Sequence, residues 1–144
     1  MPKMAIIYAS GMGRTKTMAE AIANGALTIP GIEVVIKNAY DASPDDVLNA
    51  AAIALGGSTY NYKLIKSMDP YLKELAKLDL KGRVGVAFGS HGWSGEGVPT
   101  IIARMKAFGM RVIEPGTTAV QAPSKEDIEK CFLLGRNVAM GLVN

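Results

Sequence analysis

Met4-Ala5-Ile6-Ile7-Tyr8-Ala9 is an apolar run with no polar residue interrupting it. A strand with one wet face alternates apolar and polar positions. A continuous run of this length therefore belongs to a strand covered on both sides. The same signature returns at Ala51-Ala52-Ile53-Ala54-Leu55-Gly56 and at Arg83-Val84-Gly85-Val86-Ala87-Phe88-Gly89, and Ile32 to Ile36 adds a run rich in β-branched residues. Arg111-Val112-Ile113 and Thr117 to Val120 read as a broken fifth strand.

Helical patterns fill the spaces between these runs. Lys16 to Leu27 carries Met18, Ala19, Ile22, Ala23 and Ala26 along one stripe. Ser43-Pro44-Asp45-Asp46 looks like a short helix opening, with a capping serine, proline in the first turn and acids at the positive dipole end. A third helix is expected over about 68–78, and a fourth over 98–108, closed by Gly109. Ser124-Lys125-Glu126-Asp127 opens a last helix that runs to about Met140. Strands separated by helical crossovers give a parallel sheet with right-handed connections. Five strands and about five helices in 144 residues predict one domain over 1–144: an α/β, doubly wound five-stranded sheet of order 2-1-3-4-5 with helices on both faces.

Composition narrows what such a domain can do. With 49% apolar and 20% charged residues, the chain is not disordered. Its mean hydropathy of +0.17 suits a sheet covered on both faces, or an apolar partner surface. No apolar run approaches the ~20 residues that span a bilayer. The opening Met1-Pro2-Lys3 passes straight into a strand without a signal peptide, so a cytoplasmic location and no membrane association are expected. A formal charge of +3, spread along the chain, is no footprint for nucleic acid. Cys131 is the single cysteine and His91 the single histidine. That removes an internal disulfide, a thiolate cluster and any His-based metal site, so no metal is expected. Oligomeric state is expected to be monomer or homodimer.

In open α/β sheets, ligands sit at the carboxyl ends of the strands near the switch in strand order. That rule nominates the loops after strands one, three and four, the three with unusual composition. The first, Ser10-Gly11-Met12-Gly13-Arg14-Thr15, is small and hydroxylated, as backbone N–H groups aimed at a phosphate require. A plain tight turn between strand and helix would show similar glycines. The run is neither a Walker A motif nor a G-x-G-x-x-G fingerprint, and Lys37-Asn38 stand where a ribose-reading acid would end strand two. A dinucleotide is disfavoured. The second loop, Gly57-Ser58-Thr59-Tyr60-Asn61-Tyr62, sets aromatic rings beside Asn61, a residue that enters left-handed backbone cheaply. Tyr62 fits a stacking role and a core-covering role equally. The third, Gly89-Ser90-His91-Gly92-Trp93-Ser94-Gly95-Glu96, places the only tryptophan between glycines, where a ligand or a partner can reach it.

Together these loops resemble the three FMN loops of flavodoxins, most of all those of the flavodoxin domain of flavodiiron proteins (A-type flavoproteins). Gly92-Trp93-Ser94-Gly95-Glu96 is the most specific match, and the resemblance covers essentially the whole chain. It implies non-covalent FMN, with phosphate on Ser10, Met12, Gly13, Arg14 and Thr15 and the ring between Tyr60 and Trp93. Ser58, Thr59, Asn61, Ser90, His91, Gly92 and Gly95 complete the implied cofactor-binding set. Arg14 replaces the small polar residue usual in the phosphate loop, and His91 stands where related sequences often carry an aromatic. With one histidine, this chain by itself cannot build a diiron site. The implied function is electron transfer between redox protein partners. A small FMN-dependent NAD(P)H or quinone reductase is the alternative, and an interaction module that has lost its flavin is a third reading.

Overall fold

The computed structural model describes residues 1–144. Strand β1 (Lys3–Ala9) feeds α1 (Arg14–Ala26), and β2 (Glu33–Asn38) is followed by the short α2 (Asp45–Leu48). Then come β3 (Ala52–Gly57), the two-residue strands β4 (Thr59–Tyr60) and β5 (Lys63–Leu64), and α3 (Asp69–Leu75). The chain ends with β6 (Val84–His91), α4 (Gly97–Ala107), β7 (Arg111–Val120) and α5 (Lys125–Val143). The main sheet runs β2-β1-β3-β6-β7, every pairing parallel. Counting main-sheet strands alone, this is the expected order 2-1-3-4-5.

Alternate residues of β1 part to opposite faces. Ala5, Ile7 and Ala9 join Val47, Leu72, Ile101 and Met105 in one core, which lies under α2, α3 and α4. Met4, Ile6 and Tyr8 join Met18, Ile22, Cys131 and Ala139 in the other, under α1 and α5. That two-sided burial is what the unbroken apolar runs require. Cys131 lies fully buried in the second core, and burial, with Asp127 nearby, pushes its thiol up to about 11. It stays a protonated, inert core residue at neutral pH.

Several local expectations are refined by the backbone. Ser124 caps α5 in a reciprocal box with Asp127, but the helix runs three residues past Met140, to Val143. Ser43 makes no side-chain cap for α2. Its N–H instead donates to the Asp46 carboxylate at 2.7 Å, a charge-assisted bond that takes over the anchoring. The third helix is shorter than expected: a 3₁₀ turn at Lys66–Met68 precedes it, and Lys77 and Leu78 fold back on Glu74 and Leu75 in tight turns. The break expected in the fifth strand is a register shift. Val86 pairs with Ile113, while Phe88 already pairs with Thr117.

Helices α1 and α5 touch backbone to backbone. A Cβ on Gly25 would overlap the Phe132 carbonyl oxygen, and one on Gly135 would overlap the Ile22 carbonyl oxygen. Gly141, farther along α5, has open space around it. Gly25→Ala and Gly135→Ala should each destabilise the fold by about 2–3 kcal/mol through overpacking. Gly141→Ala should stabilise it by about 0.5–1 kcal/mol through helix propensity alone. Urea unfolding followed by circular dichroism separates the two classes.

Candidate functional site

The parallel sheet delivers the carboxyl ends of β1, β3 and β6 to one edge. After β1, the chain turns through Ser10–Gly13 into α1. Gly13 is the N-cap residue, at φ +86°, a left-handed conformation that a side chain would strain. An α-helix leaves its first N–H groups without intrahelical acceptors, and no side chain caps those of α1. They form an anion seat at the positive end of the helix dipole. The Ser10 hydroxyl accepts the Gly13 N–H at 3.0 Å, and so keeps its own proton to donate. Thr15 is fully buried in the first turn, with its hydroxyl 3.1 Å from that of Ser90 and accepting the Ser90 N–H at 3.3 Å. This pair ties the start of α1 to the tip of β6.

The second loop is a hairpin. β4 and β5 pair antiparallel, Thr59 with Leu64 and Tyr60 with Lys63, around Asn61 and Tyr62. Both turn residues have positive φ, 53° and 64°, as a type I′ turn demands. The left-handed tolerance of Asn61 is used as expected. Tyr62 in the same region is a costlier choice for a bulky side chain. Thr59 is committed elsewhere: its hydroxyl accepts the Gly97 N–H at 2.8 Å and substitutes for a side-chain cap on α4, which has none of its own. A second clamp thus joins the second loop to the third.

In the third loop, β6 continues to His91, two residues beyond the expected end at Gly89. The backbone of Gly95 packs against the His91 ring, where a Cβ would stand 3.3 Å from Cδ2. His91 Nδ1 is buried and has no hydrogen-bond partner within the chain, an unmet polar atom at the edge of the site.

A slot of about 150 Å³ opens where the loops meet. It is lined by Ser10, Met12, Arg14, Ser58, Thr59, Tyr60, Ser90, His91 and Gly92 from the expected set, together with Gly11 and Ile65. Gly13 and Thr15 lie directly behind it through the bonds just described. Asn61, Trp93 and Gly95 do not line it. Asn61 and Trp93 border a neighbouring hollow with Thr59, Tyr62 and Ser94. Ile65 was invisible to sequence reasoning because Asn-Tyr is not a usual hairpin signal, so the returning strand that leads into it was missed. These groups fit a phosphomonoester bearing a ring: helix N–H groups and hydroxyls for the phosphate, with Tyr60 and Ile65 beside them. Thr15→Val should cost about 1–3 kcal/mol in stability, because the buried Ser90 N–H loses its acceptor, whereas Thr15→Ser should keep most of the clamp. Urea unfolding of the two variants checks this.

The comparisons with known proteins agree with this geometry. The family model described as Flavodoxin matches residues 6–135. A flavodoxin of Clostridium beijerinckii is 30% identical over 139 residues, covering 94% of this chain and 99% of that protein. A type A flavoprotein of Rhodobacter capsulatus is 34% identical over 138 residues, covering 93% of this chain and 32% of that protein. The chain thus spans about a third of the length of the first curated relatives it matches. Among solved structures, a flavodoxin from the domain Archaea superposes with a TM-score of 0.93 at 36% identity over 99% of both chains. The flavodiiron protein of Giardia intestinalis superposes at 0.89 and 25% identity, over 98% of this chain and 36% of that one. The uncapped start of α1, the slot beside it and these likenesses lead to one assignment: the chain belongs to the flavodoxin family, and its cofactor is FMN.

Proposed function

We propose that this protein is an electron carrier, passing one or two electrons between cytoplasmic redox partners with FMN held in the three-loop slot. The observation that carries the reading is the pair of hydroxyl clamps, Thr15 with Ser90 and Thr59 with Gly97, which hold the three loops in fixed relation. Bound FMN supplies one- and two-electron redox chemistry that no side chain of this protein offers.

The residues around it bind, orient and tune. Ser10, the backbone of Met12 and Gly13, Arg14 and Thr15 hold the phosphate through N–H and O–H donors and one guanidinium charge. Ser58, Thr59, Tyr60 and Asn61 run along one edge of the ring, where backbone groups of Tyr60 and Asn61 set its hydrogen bonding. Ser90, His91, Gly92 and Gly95 would hold the other edge. Tyr60 would cover one face of the ring, and Trp93, exposed on a loop bracketed by Gly92 and Gly95, would stack on the other. Two aromatic faces would exclude water and make added negative charge on the ring costlier.

Calorimetry with FMN and riboflavin tests the seat. FMN should bind at least about 100-fold more tightly, since several charge-assisted hydrogen bonds go to the phosphate alone. Equal affinities, or no uptake of either, would overturn the proposal. Steady-state turnover of NAD(P)H with a quinone by the flavin-loaded protein would instead identify the reductase.

A further inference from the structure

A second cleft, of about 520 Å³, lies beside the slot and shares its wall: Ser10, Gly11, Tyr60 and Ile65 line both. Tyr40, in the turn that follows β2, stands across it from Tyr60, and the Tyr40 N–H donates to the Asn38 side chain at 2.9 Å. Lys63 and Lys66 also line it, and no Asp or Glu does. Both lysines are exposed, and neither takes part in an ion pair. Behind the hairpin the same two lysines border a hollow with Glu96 and Asp69, but Asp69 is already engaged by Lys73 at 3.1 Å and Arg104 at 3.4 Å. Arg14 and Lys16 sit on the first turn of α1 and do not line this cleft. Glu96 is in no ion pair and borders only the hollow behind the hairpin, so Lys63 and Lys66 are the charged side chains that line this cleft.

Exposed apolar surface gathers at the same end. Apart from Met1, the most exposed large apolar side chains are Trp93 at 87%, Tyr40 at 81%, Met12 at 80% and Tyr60 at 75%. All four lie in the turns and the small hairpin at the carboxyl edge of the sheet. Exposed aromatic side chains gathered on one edge are what a protein–protein interface is enriched in. Two long, solvated lysines suit a fast, weak encounter better than tight capture of a small anion.

We propose that this cleft is the docking surface for an acidic redox protein, which places carboxylates against Lys63 and Lys66 and an apolar side chain between Tyr40 and Tyr60. The inference rests on the electron-carrier reading and names the partner's chemistry. Docked there, the partner is separated from the cofactor slot by the shared wall at Tyr60. One electron passes from the reduced cofactor to the partner's oxidised metal centre, with no bond made or broken.

Stopped-flow oxidation of the reduced, FMN-loaded protein by two haem proteins of opposite charge tests this. The probes are the acidic soluble domain of cytochrome b5 and the basic cytochrome c. The rate with cytochrome b5 should fall roughly tenfold as ionic strength rises from a few millimolar to physiological, and the rate with cytochrome c should not fall. Lys63→Glu with Lys66→Glu should remove the low-salt advantage of cytochrome b5, while Lys63→Arg with Lys66→Arg should keep it. Tyr40→Ser should slow cytochrome b5 and leave the salt slope intact. A cytochrome b5 rate indifferent to salt, or a charge reversal that leaves both rates unchanged, would overturn the inference while the carrier role stands. Micromolar NADPH blocking cytochrome b5 at this cleft would overturn it too, reassigning the cleft to a small anion. Failure to take up FMN shows in the absorption spectrum before any kinetics, and would remove the carrier reading and this inference together.

Discussion

Strands β1 and β3 have no wet face, and much of this protein follows from that. A strand buried on both sides needs helices above and below it, and each helix between successive parallel strands returns the chain to the same end of the sheet. Every carboxyl tip therefore arrives at one edge. Close approach there depends on small residues: a Cβ on Gly89 would overlap the Gly57 carbonyl oxygen, where β6 passes β3. The loops that leave these tips are brought together by the sheet before any ligand acts on them.

Topology alone does not fix loops at hydrogen-bond precision, and here hydroxyl groups do. Thr15 joins the first loop to the third, and Thr59 joins the second to the third. Both threonines read in the sequence as ligand donors, and both spend a lone pair on neighbouring backbone instead. Their value to a bound ligand is chiefly preorganisation: a seat already assembled costs less ordering on binding. The Ser10 hydroxyl works the same way, shaping the turn through Gly13 while its proton stays free.

The legibility of each element in the sequence tracks how local its cause is. The unbroken runs at β1, β3 and β6 announced a doubly covered sheet because two-sided burial forbids alternation. The Ser124 box was legible because a cap and its partner lie three residues apart. The β4–β5 hairpin was hidden, since Asn61-Tyr62 adopts a turn usually marked by glycine, and Ile65 stayed hidden with it. Ser43 looked like a cap, yet Asp46 holds that turn through a stronger charged acceptor. The Thr59–Gly97 and Thr15–Ser90 bonds span 38 and 75 residues, and no window of sequence contains them. The cofactor class was readable from the loops. Which side chains line the slot and which brace the loops was not.

Amide-resolved nuclear magnetic resonance of the apo-protein titrated with FMN tests the central claim most directly. The account predicts the largest shifts at the amides of Met12 to Thr15, with a second group at Ser58 to Asn61 and a third at Ser90 to Gly95. Shifts centred instead on the groove of about 390 Å³ at the amino ends of β6 and β7, beside Val84, Arg111 and Val138, would contradict it.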